Sequence, residues 1–210
     1  MVQEHDSYGT IAKYYDRVIE PLNAPLGRIG LELFPVGNGD SVLDVGCGTG
    51  VHLEAYAEAG AECHGVDLSP AMLDVARARL GGDARLTIAS ARSLPHPDAT
   101  FDLVLASLFL HELDADTRSQ VLEEMARVVR PDGRLLVIDY RAGDLRMKGR
   151  MWRVVTSIIE RLAGRDHFRE WRSYLAAGGL PPLVSHELEI EREKIVAGGN
   201  LALWLVKRKR

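Results

Sequence analysis

Val42-Leu-Asp-Val-Gly-Cys-Gly-Thr-Gly50 is the stretch on which the reading of this chain turns. It begins inside an apolar run, Ser41–Val45, of the kind that forms a short strand buried on both faces. It then breaks into three glycines at alternate positions, Gly46, Gly48 and Gly50, and a helical pattern follows at once over Val51–Ala59. Glycine adopts φ > 0 freely and carries no Cβ, so main chain at such a bend can come very close to a ligand. The helix behind it presents unpaired N–H groups at its N-terminus.

A dinucleotide-binding bend needs a third glycine to pack the helix on the strand, in the order G-x-G-x-x-G. That position is Val51 here, and Asp44 stands two residues before the first glycine. An acid so placed suits a cation, or the fixing of the loop, better than a pyrophosphate. Asp67 ends the next predicted strand, Glu62–Asp67, where a carboxylate can accept both hydroxyls of a ribose.

Strand and helix patterns then alternate. Strands are predicted at Arg85–Ala89, Phe101–Ser107 and Arg134–Tyr140, and helices at Pro70–Leu80 and Ala115–Val129. Ser69-Pro70 is a helix start, a capping hydroxyl before a proline at the first helical position. Gly81-Gly82 ends that helix. Repeated strand–helix units predict an α/β fold with a parallel sheet wound on both faces. Ligands of such a sheet sit off the carboxyl ends of its strands. That rule gathers Gly46–Gly50, Asp67, Ser90, Ser107–His111 and Asp139–Arg141 around one crevice.

Five stretches in this order and spacing resemble the class I S-adenosylmethionine-dependent methyltransferases: Asp44-Val-Gly-Cys-Gly-Thr-Gly50, Gly65-Val-Asp-Leu-Ser-Pro-Ala-Met72, Phe101-Asp-Leu-Val104, Leu110-His-Glu-Leu113 and Arg127-Val-Val-Arg-Pro-Asp-Gly-Arg134. The resemblance covers roughly Tyr8 to Tyr140, and echoes at the N-terminus and at Gly198–Lys207 point to the subgroup acting on quinones, sterols, lipid head groups and small metabolites. It implies a doubly wound, mostly parallel, seven-stranded Rossmann-like sheet ending in an antiparallel hairpin, predicted at Leu183–Ile190 and Leu201–Val206. It also implies one domain over residues 1–210: an N-terminal helical cap (1–40), a cofactor-binding core (41–140), inserted helices on the substrate side (141–180) and the hairpin (181–210). A probable N-terminal helix should stop before Pro21 and a second run about Leu26–Phe34.

The cofactor implied is S-adenosylmethionine. Asp67 is the expected ribose ligand. Gly46, Cys47 and Gly48 line the methionine end, and Asp44 orients the loop or the cofactor's ammonium group. Leu68 and Met72 are candidates for the adenine faces, and Ser107 for the same pocket. The family segment Gly-Asp-Ala-x-x-Leu-Pro reads Ala89-Ser-Ala-Arg-Ser-Leu-Pro95 here, so the acid that usually meets the adenine amine is Ser90, with the backbone of Ala91 as the alternative contact. Methyl transfer from a sulfonium needs mainly alignment, and a base only if the acceptor must first lose a proton. His111, which follows the fourth strand, is the candidate base; Tyr14 and Asp139 are the other candidate catalytic groups. Packing alone would also account for each of them.

The composition, 46% hydrophobic and 27% charged, is that of a globular domain, and a net charge of −4 does not suggest nucleic-acid binding. No apolar run is long enough to cross a bilayer and no signal peptide is visible. The two cysteines, Cys47 and Cys63, lack metal-site spacing, so no metal is expected and a cytoplasmic protein is the simplest reading. Residues 141–172 hold nine Lys or Arg against four Asp or Glu, a local +5 in a chain whose total is −4. The helix expected about Met151–Ala163 could therefore be a lid over the site or a peripheral contact with an anionic membrane. A dinucleotide enzyme and a non-catalytic cofactor-binding protein remain as other readings. A small-molecule acceptor is the expected partner; its identity and the oligomeric state are not set by the sequence.

Overall fold

The computed structural model describes residues 20–209. Tyr14, with the rest of the expected cap up to residue 19, lies outside the described residues. The elements in order are α1 (Glu20–Leu33), β1 (Ser41–Val45), α2 (Val51–Glu58), β2 (Glu62–Asp67), α3 (Pro70–Leu80), β3 (Arg85–Ile88), β4 (Phe101–Ser107), α4 (Ala115–Val128), β5 (Val129–Tyr140), α5 (Met147–Ala163), α6 (Arg165–Ala176), β6 (Leu188–Val196) and β7 (Leu201–Arg208).

They build a seven-stranded sheet in the order β3-β2-β1-β4-β5-β7-β6. The first five strands are parallel, and β7 runs antiparallel to both β5 and β6. The sheet is the α/β arrangement the alternating pattern predicts. Successive residues along each strand face opposite layers. Val42, Leu103, Leu105, Leu136 and Ile138 pack with Leu26 of α1, Leu53 and Tyr56 of α2 and Leu73 of α3. Leu43, Val104, Leu135 and Val137 pack on the other side with Val121, Leu122 and Met125 of α4 and Tyr174 of α6. Truncating one of the fully buried leucines here, such as Leu105, should cost about 2–5 kcal/mol.

Several boundaries differ from the sequence pattern; β6 also runs on to Val196, and α5 starts at Met147. A single helix, α1, runs where Pro21 and Pro25 suggested a break, with Pro25 inside it. Pro25 is the sixth residue of this span, past the first turn, so the helix gives up one N–H to carbonyl bond there. Pro131–Gly133, ahead of the strand predicted at Arg134–Tyr140, lies within β5, as a bulge: Phe101 pairs with Val129 and Leu103 with Arg134. Gly133 permits it, since a Cβ there would lie 2.7 Å from the Asp102 carbonyl. Strand β6 starts at Leu188 rather than Leu183, because Pro181–Leu183 forms a tight helical turn instead.

Helix α5 is amphipathic with its polar side inward. Thr156 and Glu160 are buried, whereas Met151 and Leu162 stand 67% and 82% exposed. Its N-terminal turn rests backbone to backbone on the β6–β7 connection: a Cβ on Gly149 would fall 2.1 Å from the Gly198 carbonyl, and one on Gly198 2.5 Å from the Gly149 nitrogen.

Candidate active site

The glycine bend is built as the sequence requires. Gly46, Gly48 and Gly50 have φ of 72°, 51° and 75°, a region in which a side chain is strained. Gly46 and Cys47 both donate N–H to the Val66 carbonyl, at 2.9 and 3.0 Å, which ties the bend to β2. The ring of Phe109 lies against Gly46, 2.7 Å from where a Cβ would be, while the space above Gly48 is open. Asp67 at the end of β2 accepts the Gly48 N–H at 2.9 Å and the Ser69 N–H at 2.8 Å, so its carboxylate plane is fixed. Ser69 caps α3 by accepting the Met72 N–H.

These parts surround a cavity of about 520 Å³ at the carboxyl ends of β1, β2 and β4. Among the sequence-predicted residues, Gly46, Cys47, Gly48, Asp67, Leu68, Met72, Ser90, Ala91 and Ser107 line it. Asp44, His111 and Asp139 do not, and neither does Arg141, so the crevice is narrower than the strand-end rule drew it. The chain also supplies walls that sequence reasoning passed over: Asn23 from α1, His52 from α2, and Arg169 with Glu170 from α6. Phe109, within the Ser107–His111 run that the strand-end rule gathered, is on the wall as well. Arg169 and Glu170 carry no local signal. They reach the cavity because Arg118, buried in α4, donates to the Leu110 and Glu170 carbonyls at 3.0 and 2.8 Å and so fixes α6 in place.

Among the described residues, several polar atoms at or behind the cavity have no partner. Both carboxylate oxygens of Asp44, the Nδ1 of His52 and the Oγ of Ser107 are buried and unbonded. Burial, and then the neighbouring charge of Asp67, raises Asp44 well above the ordinary carboxylate range. Burial, with Arg79 adding to it, lowers His52 to about 4, so it is neutral at pH 7. Burial also raises the Cys47 thiol, helped by Asp44 and Asp67, which leaves a packing thiol rather than a nucleophile. Buried polar groups are ordinarily satisfied. A buried acid without a partner ionises readily only when positive charge comes near it, and the space over Gly48 is open among the described residues.

His111 and Asp139 do come together. Asp139 accepts the His111 Nδ1–H at 2.8 Å, the His111 backbone N–H at 3.2 Å and the Tyr140 N–H at 2.7 Å. The other ring nitrogen faces Glu160 of α5 at 3.6 Å, and the Tyr140 hydroxyl donates to the same Glu160 oxygen at 3.2 Å. Burial alone would push this imidazole toward neutrality. The charge and hydrogen bond of Asp139, with Glu160 behind them, outweigh burial and push its pKa up to about 10. For Glu160 burial again works against the charged form, but His111 and His167 bring its pKa down to about 2. The cluster is a buried charged knot that joins the loop after β4 to the end of β5 and to α5.

A methyltransferase-domain family model matches residues 43–137. The chain is 34% identical over 138 residues to the demethylmenaquinone methyltransferase of Tropheryma whipplei (strain Twist), which covers 63% of this chain and 57% of that protein. It is 35% identical over 133 residues to the malonyl-[acyl-carrier protein] O-methyltransferase of Serratia marcescens, covering 60% and 50%. The match thus spans little more than half the length of these curated relatives. In fold, the chain is similar to a SAM-dependent methyltransferase from Aquifex aeolicus, with a TM-score of 0.59 at 22% identity over 86% of this chain and 88% of that one.

Proposed function

We propose that this protein, whose residues 43–137 match a methyltransferase-domain family model, transfers a methyl group from S-adenosylmethionine to a small-molecule acceptor. The observation that carries this reading is the cavity itself: bare backbone at Gly48, the carboxylate of Asp67 beside it and the unpaired acid Asp44 behind it. S-adenosylmethionine brings a methyl group already activated by a sulfonium charge. Asp67 would hold the ribose hydroxyls, and Asp44, which lies behind the bend and not on the cavity wall, would orient the loop or the positive end of the methionine part. Gly46, Cys47 and Gly48 would pass beneath it. Leu68 and Met72 would flank the adenine, with Ser90, Ala91 and Ser107 offering its polar contacts.

The protein's own task is then to exclude water and hold two reactants in line, which can supply several kcal/mol. His111 does not suit the role of proton acceptor. With carboxylates on both nitrogens and a pKa of about 10 it carries its proton throughout the neutral range. We assign His111 and Asp139 instead to positioning: through the bonds to Asp139 they fix the Ser107–His111 loop that supplies Ser107 and Phe109 to the cavity. Any acceptor that must lose a proton would lose it to another group or to water. Quinone-type acceptors are the first class to try, given the demethylmenaquinone enzyme among the relatives, and the cytoplasm is the compartment this reading assumes.

The test is direct. Adenosylhomocysteine at about 100 times its Kd should stabilise the fold by about 2.7 kcal/mol in a thermal melt, and NADH should not. Incubation with methyl-labelled S-adenosylmethionine and a panel of quinol, phenol and carboxylate acceptors should then label at least one. A shift with NADH and none with adenosylhomocysteine would overturn the cofactor assignment. A shift with adenosylhomocysteine and no labelled acceptor across the panel would favour a binding protein without turnover.

A further inference from the structure

Helix α5 turns its apolar side to solvent. Met147, Met151, Val154, Val155, Ile158 and Leu162 are all exposed, between 44% and 82%. At 100° per residue these six positions fall on one continuous stripe. The stripe is bordered by Lys148 on one edge and by Arg150 and Arg161 on the other. The only acidic residue in the helix, Glu160, is buried on the opposite side.

The inward side is held by polar contacts. Arg153 donates to the Arg141 carbonyl at 2.6 Å and to the Asn200 side chain, Asn200 donates to Thr156 at 3.3 Å, and Glu160 joins the His111 knot. A helix packed on a protein core normally does the reverse. Here the anchoring is ionic and hydrogen-bonded, and the hydrophobic surface is left over. A continuous apolar stripe left exposed to solvent marks a contact with something apolar.

We propose that this stripe docks on the surface of an anionic membrane, with α5 lying in the plane of the interface. The charge pattern selects this occupant. Lys148, Arg150 and Arg161 border the apolar stripe on both edges, where their long side chains can reach up to lipid phosphates while the stripe enters the acyl boundary. Residues 141–172 as a whole carry +5 in a chain of −4, so the segment that holds this helix is the basic part of an otherwise acidic chain. Gly164 follows α5 directly and leads into α6, whose Arg169 and Glu170 line the cavity. Membrane contact at α5 would therefore set the cavity's α6 wall close to the lipid. The inference does not depend on turnover, and its failure would leave the methyl-transfer reading untouched.

Trp152 gives the test. Of the three tryptophans, Trp171 and Trp204 are buried while Trp152 is 39% exposed on α5. The full chain should float with vesicles of phosphatidylglycerol and phosphatidylcholine, and bind phosphatidylcholine alone at least about tenfold more weakly. On binding, Trp152 emission should shift to the blue and be quenched by brominated lipid, and Trp152→Phe should remove that signal without abolishing flotation. Replacing Met151, Ile158 and Leu162 together by Ser should weaken binding about tenfold or more. Because all three are exposed, the melting temperature should hold, and that is the check that the variant is folded. No flotation on the anionic vesicles, or flotation unchanged by the triple replacement, overturns the proposal. So does protection of Trp152 from aqueous quencher in the absence of lipid, whether a second copy in a dimer or residues 1–19 provide the cover.

Discussion

Replacing Asp44 by asparagine should strengthen the empty protein and weaken its hold on the cofactor. Asp44 is 1% exposed and neither oxygen has a partner. An acid in that state is destabilised when ionised, which is why burial and the Asp67 charge raise its pKa. A carboxyl whose folded pKa lies above its unfolded value favours folding only while protonated, so Asp44 costs the fold stability as pH rises from the ordinary value of 3.8. Asparagine has the same shape and no ionisation. Apo Asp44→Asn should therefore melt higher than the parent at pH 8, with a smaller difference at pH 5. If the carboxylate meets a cationic end of the ligand, losing that charge-assisted contact costs about 1.5–3 kcal/mol. That is about a 10- to 150-fold rise in the Kd for adenosylhomocysteine. Binding in the parent should also release protons from Asp44, so affinity should rise with pH and the calorimetric heat should change between buffers of different ionisation enthalpy. Both effects should shrink in the variant. An Asp44→Asn protein that binds adenosylhomocysteine as the parent does, with the same buffer dependence, would refute the argument, and so would one that melts lower at pH 8.

Asp67→Ala should weaken adenosylhomocysteine binding at least about tenfold, because it removes both the ribose ligand and the acceptor for the Gly48 and Ser69 N–H groups; calorimetric titration reads it. Ser90→Asp restores a charged acceptor at the cavity wall and should tighten the same titration by up to about tenfold. His111→Gln leaves Asp139 and Glu160 buried without their cation and should cost about 3–5 kcal/mol of stability in urea unfolding. The pH profile should show the same knot. The share due to His111 is complete below its ordinary 6.5 and lost as pH rises through about 10, and that due to Glu160 is complete above 4.5 and lost as pH falls through about 2. A flat profile from pH 7 to 10 in the parent, or one that His111→Gln leaves unchanged, would show that the imidazolium contributes nothing.

The core of the fold was legible because its signals are local. Apolar runs broken by turn residues mark β1, β2 and β4 at their observed ends, and Ser69-Pro70 marks the start of α3. The glycine spacing gave the floor of the cavity, and Asp67 its edge. What escaped depends on contacts between distant segments. Whether Pro131–Gly133 turns or bulges is decided by the backbone of β4. That Arg169 and Glu170 reach the cavity is decided by Arg118 on another helix. His111 looked like a base because its position after β4 is visible in the sequence. Glu160, which helps hold it protonated, stands far along the chain. A helix about Met151–Ala163 was legible, but periodicity gives a stripe without saying which way it faces.

The contact between Gly149 and Gly198 leaves no spare volume between α5 and the β6–β7 connection. A side chain at either site would have to lever the whole helix off its seat. Drift in this protein would therefore be channelled outward: related sequences should keep those two positions bare while the exterior of α5 diversifies, so that one rigid mount can carry many different soles.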